Sequence, residues 1–233
     1  MILRADLHIH SCLSPCADAD MTPNNLVNMA WLKGLDAIAV ADHNSARNLP
    51  ACQAVADARG LVFLPAIEAN TQEDVHLLCY LPTVADALML GDWLYERIPP
   101  VLNKPGIFGE QCVCDAQDAC VDTVPKLLIQ AVQATLAEVA ARVWAMGGVA
   151  VPAHINRGAN SLLSALGMFP SGLRLPAVEV SPHAPPPAVD LSKYSVLRSS
   201  DAHRLEDIAE GGMPLPAAER TPAGILAYLR AGG

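Results

Sequence analysis

The chain has 233 residues, a formal charge of −9 and an apolar share of 52%, with only three Phe, three Trp and four Tyr. That length closes one large domain, and the acidic balance argues against tight binding of extended duplex nucleic acid through a general basic surface. No apolar run reaches the ~18–20 residues needed to span a bilayer, and no basic region followed by an apolar stretch opens the chain. Its seven cysteines follow no secreted-scaffold spacing, so the expectation is a cytoplasmic chain with mostly reduced thiols.

Residues 3–10 alternate in the manner of a strand. Thr22 then opens a helix with Pro23 at its first position, running to about Gly34. Residues 36–41 form a second strand, and Asn48 is expected to cap a helix that Gly60 ends. A third strand covers 61–67 and a short fourth 75–80. The helix over 83–98 has Leu88, Leu90, Trp93 and Leu94 as its apolar face. Residues 99–125 break the rhythm: Gln111-Cys112-Val113-Cys114 and Ala119-Cys120-Val121 flank a polar turn and predict an inserted hairpin. A helix over about 133–146 ends at Gly147-Gly148 and leads into a strand at 149–151. Further strands follow at 177–180 and 194–199, and a last helix at 222–230.

Six or seven short buried strands alternating with helices predict a parallel βα architecture of barrel type, in one domain over 1–233. Such strands are buried on both faces, which suits a core built from Ala, Val, Leu and Ile.

The histidines carry the chemical information. His8 and His10 end the first strand, His43 follows the second, and His154 follows the strand at 149–151. His203, beside Asp201, comes soon after 194–199, and Glu68 ends the third strand. In a βα barrel the strand C-termini open on one face, so these residues converge on one pocket. His8 and His10, two apart on a strand, point to the same face ~6.5–7 Å apart and reach one ion together. Imidazoles with carboxylates suit zinc, iron or manganese, and a bridging carboxylate joins two ions. His76 fits less well: it lies at the start of its apolar run, which predicts that its strand runs against the others.

Taken together, Asp6-Leu7-His8-Ile9-His10-Ser11, Ala41-Asp42-His43-Asn44, Pro65-Ala66-Ile67-Glu68, Val75-His76-Leu77, Pro152-Ala153-His154 and Ser200-Asp201-Ala202-His203 resemble the polymerase-and-histidinol-phosphatase (PHP) domain of metal-dependent phosphoesterases. The resemblance runs through most of the chain. It implies a distorted seven-stranded βα barrel of TIM-like form with up to three metals at the strand C-termini. By that resemblance one ion takes His8, His10, Glu68 and Asp201, and a second shares Glu68 and adds His76 and His154. A third takes His43 and His203 with a ligand from the loop after the first strand. Several family members place a histidine where this chain has Cys16; Cys16 is the expected replacement, with Asp18 or Asp20 as alternatives.

The implied activity is hydrolysis of a small phosphate ester (a nucleotide, an oligonucleotide end or a histidinol-phosphate-like compound) by a metal-activated water, with two or three divalent ions as cofactors. Asp201, His203 and Asp42 are the expected catalytic set, Asp42 orienting a water or a histidine ligand. Arg157 and Asn44 are the expected substrate contacts, Arg157 as a bidentate phosphate clamp or otherwise an ordinary ion pair. His183 falls in no motif and is expected outside the site. Cys112, Cys114 and Cys120 lack an evident fourth zinc ligand and read as hairpin thiols, while Cys12, Cys52 and Cys79 read as packing residues. The partners implied are a small phosphorylated substrate or a short nucleic-acid end, with no membrane, and the hairpin leaves room for a homodimer. A metal-dependent amidohydrolase and a non-catalytic metal-bound regulatory module are the rival readings.

Overall fold

Most helices start where a threonine or a proline prepares them. In the computed structural model, which describes residues 1–232, the elements in chain order are β1 (Ile2–Ile9), α1 (Pro23–Leu32), β2 (Ala37–Val40), α2 (Leu49–Arg59), β3 (Val62–Phe63), β4 (Ala66–Asn70), β5 (His76–Tyr80), α3 (Val84–Arg97), α4 (Pro105–Phe108), β6 (Cys112–Cys114), β7 (Cys120–Thr123), α5 (Leu136–Ala145), β8 (Val149–Pro152), α6 (Leu162–Leu166), β9 (Ala177–Glu179), β10 (Ser195–Leu197), β11 (Met213–Pro216) and α7 (Pro222–Ala231). Pro23 and Pro222 occupy first turns, and the hydroxyls of Thr83, Thr135 and Thr221 accept amide protons at the starts of α3, α5 and α7. A reciprocal capping box between Thr135 and Glu138 fixes the start of α5 at Leu136, three residues later than expected. Asn48 does not cap α2. Its side chain instead accepts the Cys114 N–H at 2.8 Å and donates to Ser11 Oγ and the Cys112 carbonyl, joining the predicted hairpin (β6–β7) to the loop after β1.

The strands fall into four sheets, ordered β11-β1-β2-β3, β4-β5-β8, β9-β10 and β6-β7. The expected closed seven-stranded barrel is therefore not formed among the described residues; the fold is mixed α/β. Pro65 explains one break. It has no N–H to donate, so the run predicted as one strand splits: β3 pairs parallel with β2, and β4 pairs antiparallel with β5. β5 runs against both neighbours, β4 and β8, as the position of His76 predicted. Between sheets the backbone is linked by the bridges His43–Glu68 and Ile9–Ala202 and by the bond from Ile155 N–H to the Glu179 carbonyl, and Tyr80 Oη donates to the Leu7 carbonyl at 2.9 Å.

Two apolar cores follow from the strand alternation. Leu3, Ala5, Leu7, Ala37, Ala39, Ala41, Leu64, Ala66, Leu78, Tyr80, Val149, Val151 and Ala177 form an inner core, which Ile225, Leu226 and Leu229 of α7 cover. Ile38, Val40, Ile67, Leu77, Ala150 and Val178, from the opposite strand faces, pack in an outer core with α1, α2, α3 and α5. The register of β1 against β2 shifts between Asp6 and Ile9. Beyond that bulge Ile9 joins the outer core with Val40, so the inward positions become His8 and His10.

Candidate metal centre

The inner-core phase delivers the polar residues. His43 continues the series Ala37, Ala39, Ala41; Glu68 follows Ala66; Glu179 follows Ala177; and His76 precedes Leu78 and Tyr80 on the reversed strand. His154 and Asp201 lie in loops and hold left-handed backbone, with φ of 28° and 55°. Such conformations cost on the order of 1–3 kcal/mol in a non-glycine residue and persist only where their surroundings enforce them.

Glu68 stands at the centre, buried. Its Oε1 lies 3.0 Å from His76 Nδ1, 3.2 Å from His154 Nε2 and 3.5 Å from His8 Nε2. Its Oε2 lies 3.3 Å from His10 Nε2 and 3.2 Å from His43 Nδ1. Asp201 Oδ1 faces His8 and His10 at 3.3 and 3.2 Å. Three sets of donors approach closely enough to share an ion: His8, His10, Glu68 and Asp201; His43, Glu68 and His76; and His10, His43 and His203. His154 joins through Glu68.

These residues fit a cation. The Nε2 atoms of His8 and His10 lie 3.1 Å apart, where two lone pairs repel unless a positive charge lies between them. The Nδ1 atoms of His43, His76 and His154 and Oδ1 of Asp201 are buried without hydrogen-bond partners, an arrangement that costs stability unless something ligates them.

The tautomers are set from behind. His8 Nδ1 lies 3.0 and 3.2 Å from the carboxylate oxygens of Glu179, which only accept, so Nδ1 carries the proton and Nε2 is left for the centre. Ser14 Oγ donates to Asp42 at 2.7 Å, so it accepts from His10 Nδ1 at 3.0 Å. His203 Nδ1 donates to the Asp201 carbonyl at 2.8 Å.

Charge follows the same pattern. Burial alone would strip His8 of its proton, but Glu179, Asp201 and Glu68 hold its pKa well above the ordinary range. Burial likewise opposes the proton on His10, yet the adjacent carboxylates of Asp201 and Glu68 raise it to about 9. Burial would raise Glu68, but His76 and His8 hold it well below the usual carboxylate range. Asp201 is lowered against its burial, chiefly by His8 and His10. Burial depresses His43 well below normal, and burial together with His10 brings His203 down to about 4. Protons on His8 and His10 offset part of the carboxylate charge.

Of the residues expected at the site, His8, His10, His43, Glu68, His76, His154, Asp201 and His203 are together. Cys16 is not within the sets that approach closely. It lies exposed on the loop after β1, although the enclosing walls and the carboxylates of Glu68 and Asp201 push its thiol up to about 12. Arg157 reaches the site, its Nη1 2.7 Å from Asp201 Oδ2. Asn44 is a correction: it is buried, its amide donates to the Leu128 and Gln130 carbonyls, and its oxygen accepts the Asn70 N–H, so nothing remains for a substrate. Asp42 reaches a histidine only through Ser14, which accepts from His10 Nδ1. Both its oxygens are taken by Ser11 and Ser14, which places it behind His10. His183 stands exposed, outside the cluster. Cys112, Cys114 and Cys120 do not converge as a metal group, and the Cys114 thiol lies 3.5 Å from that of Cys12.

Three contributors went unread in the sequence: Glu179, Ser14, and Asp6, whose buried carboxylate accepts the Ser200 and Ala209 N–H groups and so anchors the loop that carries Asp201. Glu179 left a legible signal, an acid inside the apolar run Ala177-Val178-Glu179-Val180.

No protein-family model and no curated protein matches the sequence. Solved structures do share its fold, among them proteins described as PHP-like metal-dependent phosphoesterases. The lesion-specific endonuclease Q from Pyrococcus furiosus aligns over 100% of this chain and 57% of its own, with a TM-score of 0.69 and 18% identity. A protein from Bifidobacterium adolescentis assigned as a metal-dependent phosphoesterase aligns over 98% and 96%, with a TM-score of 0.60 and 20% identity. A two-domain protein from Bacteroides vulgatus containing a predicted PHP-like metal-dependent phosphoesterase aligns over 99% and 63%, at 0.52 and 16%. An amidohydrolase from Chromobacterium violaceum has the fold as well, at 0.60 and 18%, over 94% and 93% of the two chains. The chain thus spans little more than half the length of endonuclease Q.

Proposed function

We propose that this chain is a metal-dependent hydrolase that cleaves a small phosphate ester. The observation that carries the reading is Glu68, whose two oxygens face different sets of histidines in a buried, partner-poor cluster. In this reading one ion takes His8, His10, Glu68 and Asp201, a second takes Glu68, His76 and His154, and a third takes His43 and His203 with Cys16. Zinc, iron and manganese suit that donor set. Two or three bound divalent ions would supply an activated water at neutral pH and neutralise charge on the phosphoryl oxygens.

The chain's own part is to hold and orient. Glu68 and Asp201 stay ionised, and the bonds behind His8 and His10 keep both Nε2 atoms turned inward. Arg157, at the rim, exchanges its pair with Asp201 for two phosphate oxygens. A nucleotide, the end of a short oligonucleotide, or a histidinol-phosphate-like compound all offer the required monoester or terminal phosphate. The lesion-specific endonuclease among the structural neighbours favours the nucleic-acid end, while the charge of −9 disfavours an extended duplex.

The amidohydrolase neighbour keeps cleavage of a C–N bond as a second reading. Enzymes of that type generally bridge their metals with a modified lysine, whereas no lysine is buried among the described residues and Glu68 occupies the bridging position. The deciding experiment is a phosphate-release screen over phosphomonoesters, with product separation for diesters, run beside an amide panel on protein whose metals are measured by elemental analysis. Phosphate release that is lost on chelation and restored by metal supports the proposal. Amide cleavage with no phosphate release from fully loaded protein overturns it.

A further inference from the structure

We infer that Glu179 is a positioning residue that ties together two histidines assigned to different ions; this rests on the metal-centre reading above. Glu179 ends β9, buried, and belongs to none of the three sets of donors that converge. Its carboxylate accepts the His8 Nδ1 proton at 3.0 Å, and the same oxygen, Oε2, accepts the backbone N–H of His154 at 3.0 Å. Its own carbonyl accepts the Ile155 N–H at 2.9 Å. No arginine or lysine pairs with it among the described residues.

Each contact has a distinct consequence. An anionic acceptor on Nδ1 increases electron density at Nε2 and fixes the ring, making His8 a stronger and better-aimed ligand. At His154 the bond holds a left-handed backbone, φ 28°, which the histidine would leave if its N–H had no partner. One carboxylate therefore sets the ring of a ligand to the first ion and the backbone of a ligand to the second. His43 and His203 make no contact with it, and their position serves as an internal control.

The test is metal binding by the full chain, stripped and retitrated with cobalt(II) and zinc(II), comparing wild type with Glu179→Gln and Glu179→Ala. Gln keeps the shape and one acceptor but not the charge. The expected result for Glu179→Gln is a 10–100-fold loss of affinity for the two ions that share Glu68. Its cobalt absorption bands should shift, the ion at His43 and His203 should be retained, and the melting temperature of the metal-free protein should stay near wild type. Wild-type cobalt spectra and affinities in a folded Glu179→Gln protein would overturn the positioning role while leaving the metal centre intact. A wild-type chain that binds no metal overturns both. Should Glu179→Ala fail to fold, Glu179→Gln alone decides.

Discussion

The guanidinium of Arg157 sits 2.7 Å from Oδ2 of Asp201, while the other oxygen of that carboxylate faces His8 and His10. One acid thus joins a partly exposed cation to the buried donor set. If the cation moves to substrate phosphate during turnover, Arg157→Ala raises KM about tenfold, the low end for a charge-assisted bond because the site is partly solvated. Metal content stays unchanged. Steady-state kinetics on the best ester from the screen, with elemental analysis, check this; an unchanged KM removes Arg157 from the substrate.

Cys16 decides the third ion. With Cys16 as a ligand, Cys16→Ser leaves two ions per chain in place of three, and Cys16→His restores the third with a loss of any sulfur-to-cobalt charge-transfer band. Three tightly held ions in Cys16→Ser would instead turn attention to Asp18 or Asp20.

Asn44→Ala should damage the fold and not the chemistry. The substitution leaves the Leu128 and Gln130 carbonyls and the Asn70 N–H without their partner and puts alanine at φ 51°. The combined cost is roughly 3 kcal/mol, and the melting temperature falls by about 10 °C. At a permissive temperature kcat stays within twofold of wild type. A large fall in kcat from a fully folded variant would return Asn44 to the substrate.

The metal-free protein should be most stable near pH 6.5. His10, raised to about 9, contributes stability that is fully present below its unfolded value near 6.5 and is lost as pH rises towards 9. His203, lowered to about 4, acts with opposite sign: its unfolded form takes up a proton first, so stability falls as pH drops from 6.5 towards 4. Saturating metal replaces the proton on His10 and should flatten the alkaline arm. Denaturant melts of stripped and loaded protein across pH 4–9 test this, and a stripped protein that gains stability up to pH 9 contradicts it.

Most of the candidate ligands were legible because they end apolar runs. Ala37, Ala39 and Ala41 announce His43, and Ala66 announces Glu68, by strand alternation alone. What the sequence hid was tertiary. Asn44 sits beside His43 in a motif, yet its amide is used by backbone from residues 70, 128 and 130, which no local pattern connects to it. Ser14 matters only because Asp42 and His10 flank it in space. Closure of the sheet was over-read from a count of strands. Pro65 and the reversal of β5 interrupt the ladder, and their effect depends on which neighbour each strand finds.

The reversal of β5 also divides the chain into sensitive and tolerant places. Because His76 opens its strand, the turn at 71–75 adjoins the centre, whereas the far end of the strand, at Leu81 and Pro82, lies away from it. A graft or a new pair of termini at Pro82 should leave the ligands undisturbed. A single residue inserted between Thr71 and His76 would displace His76 itself, which makes that turn a short lever for redesigning what the pocket accepts.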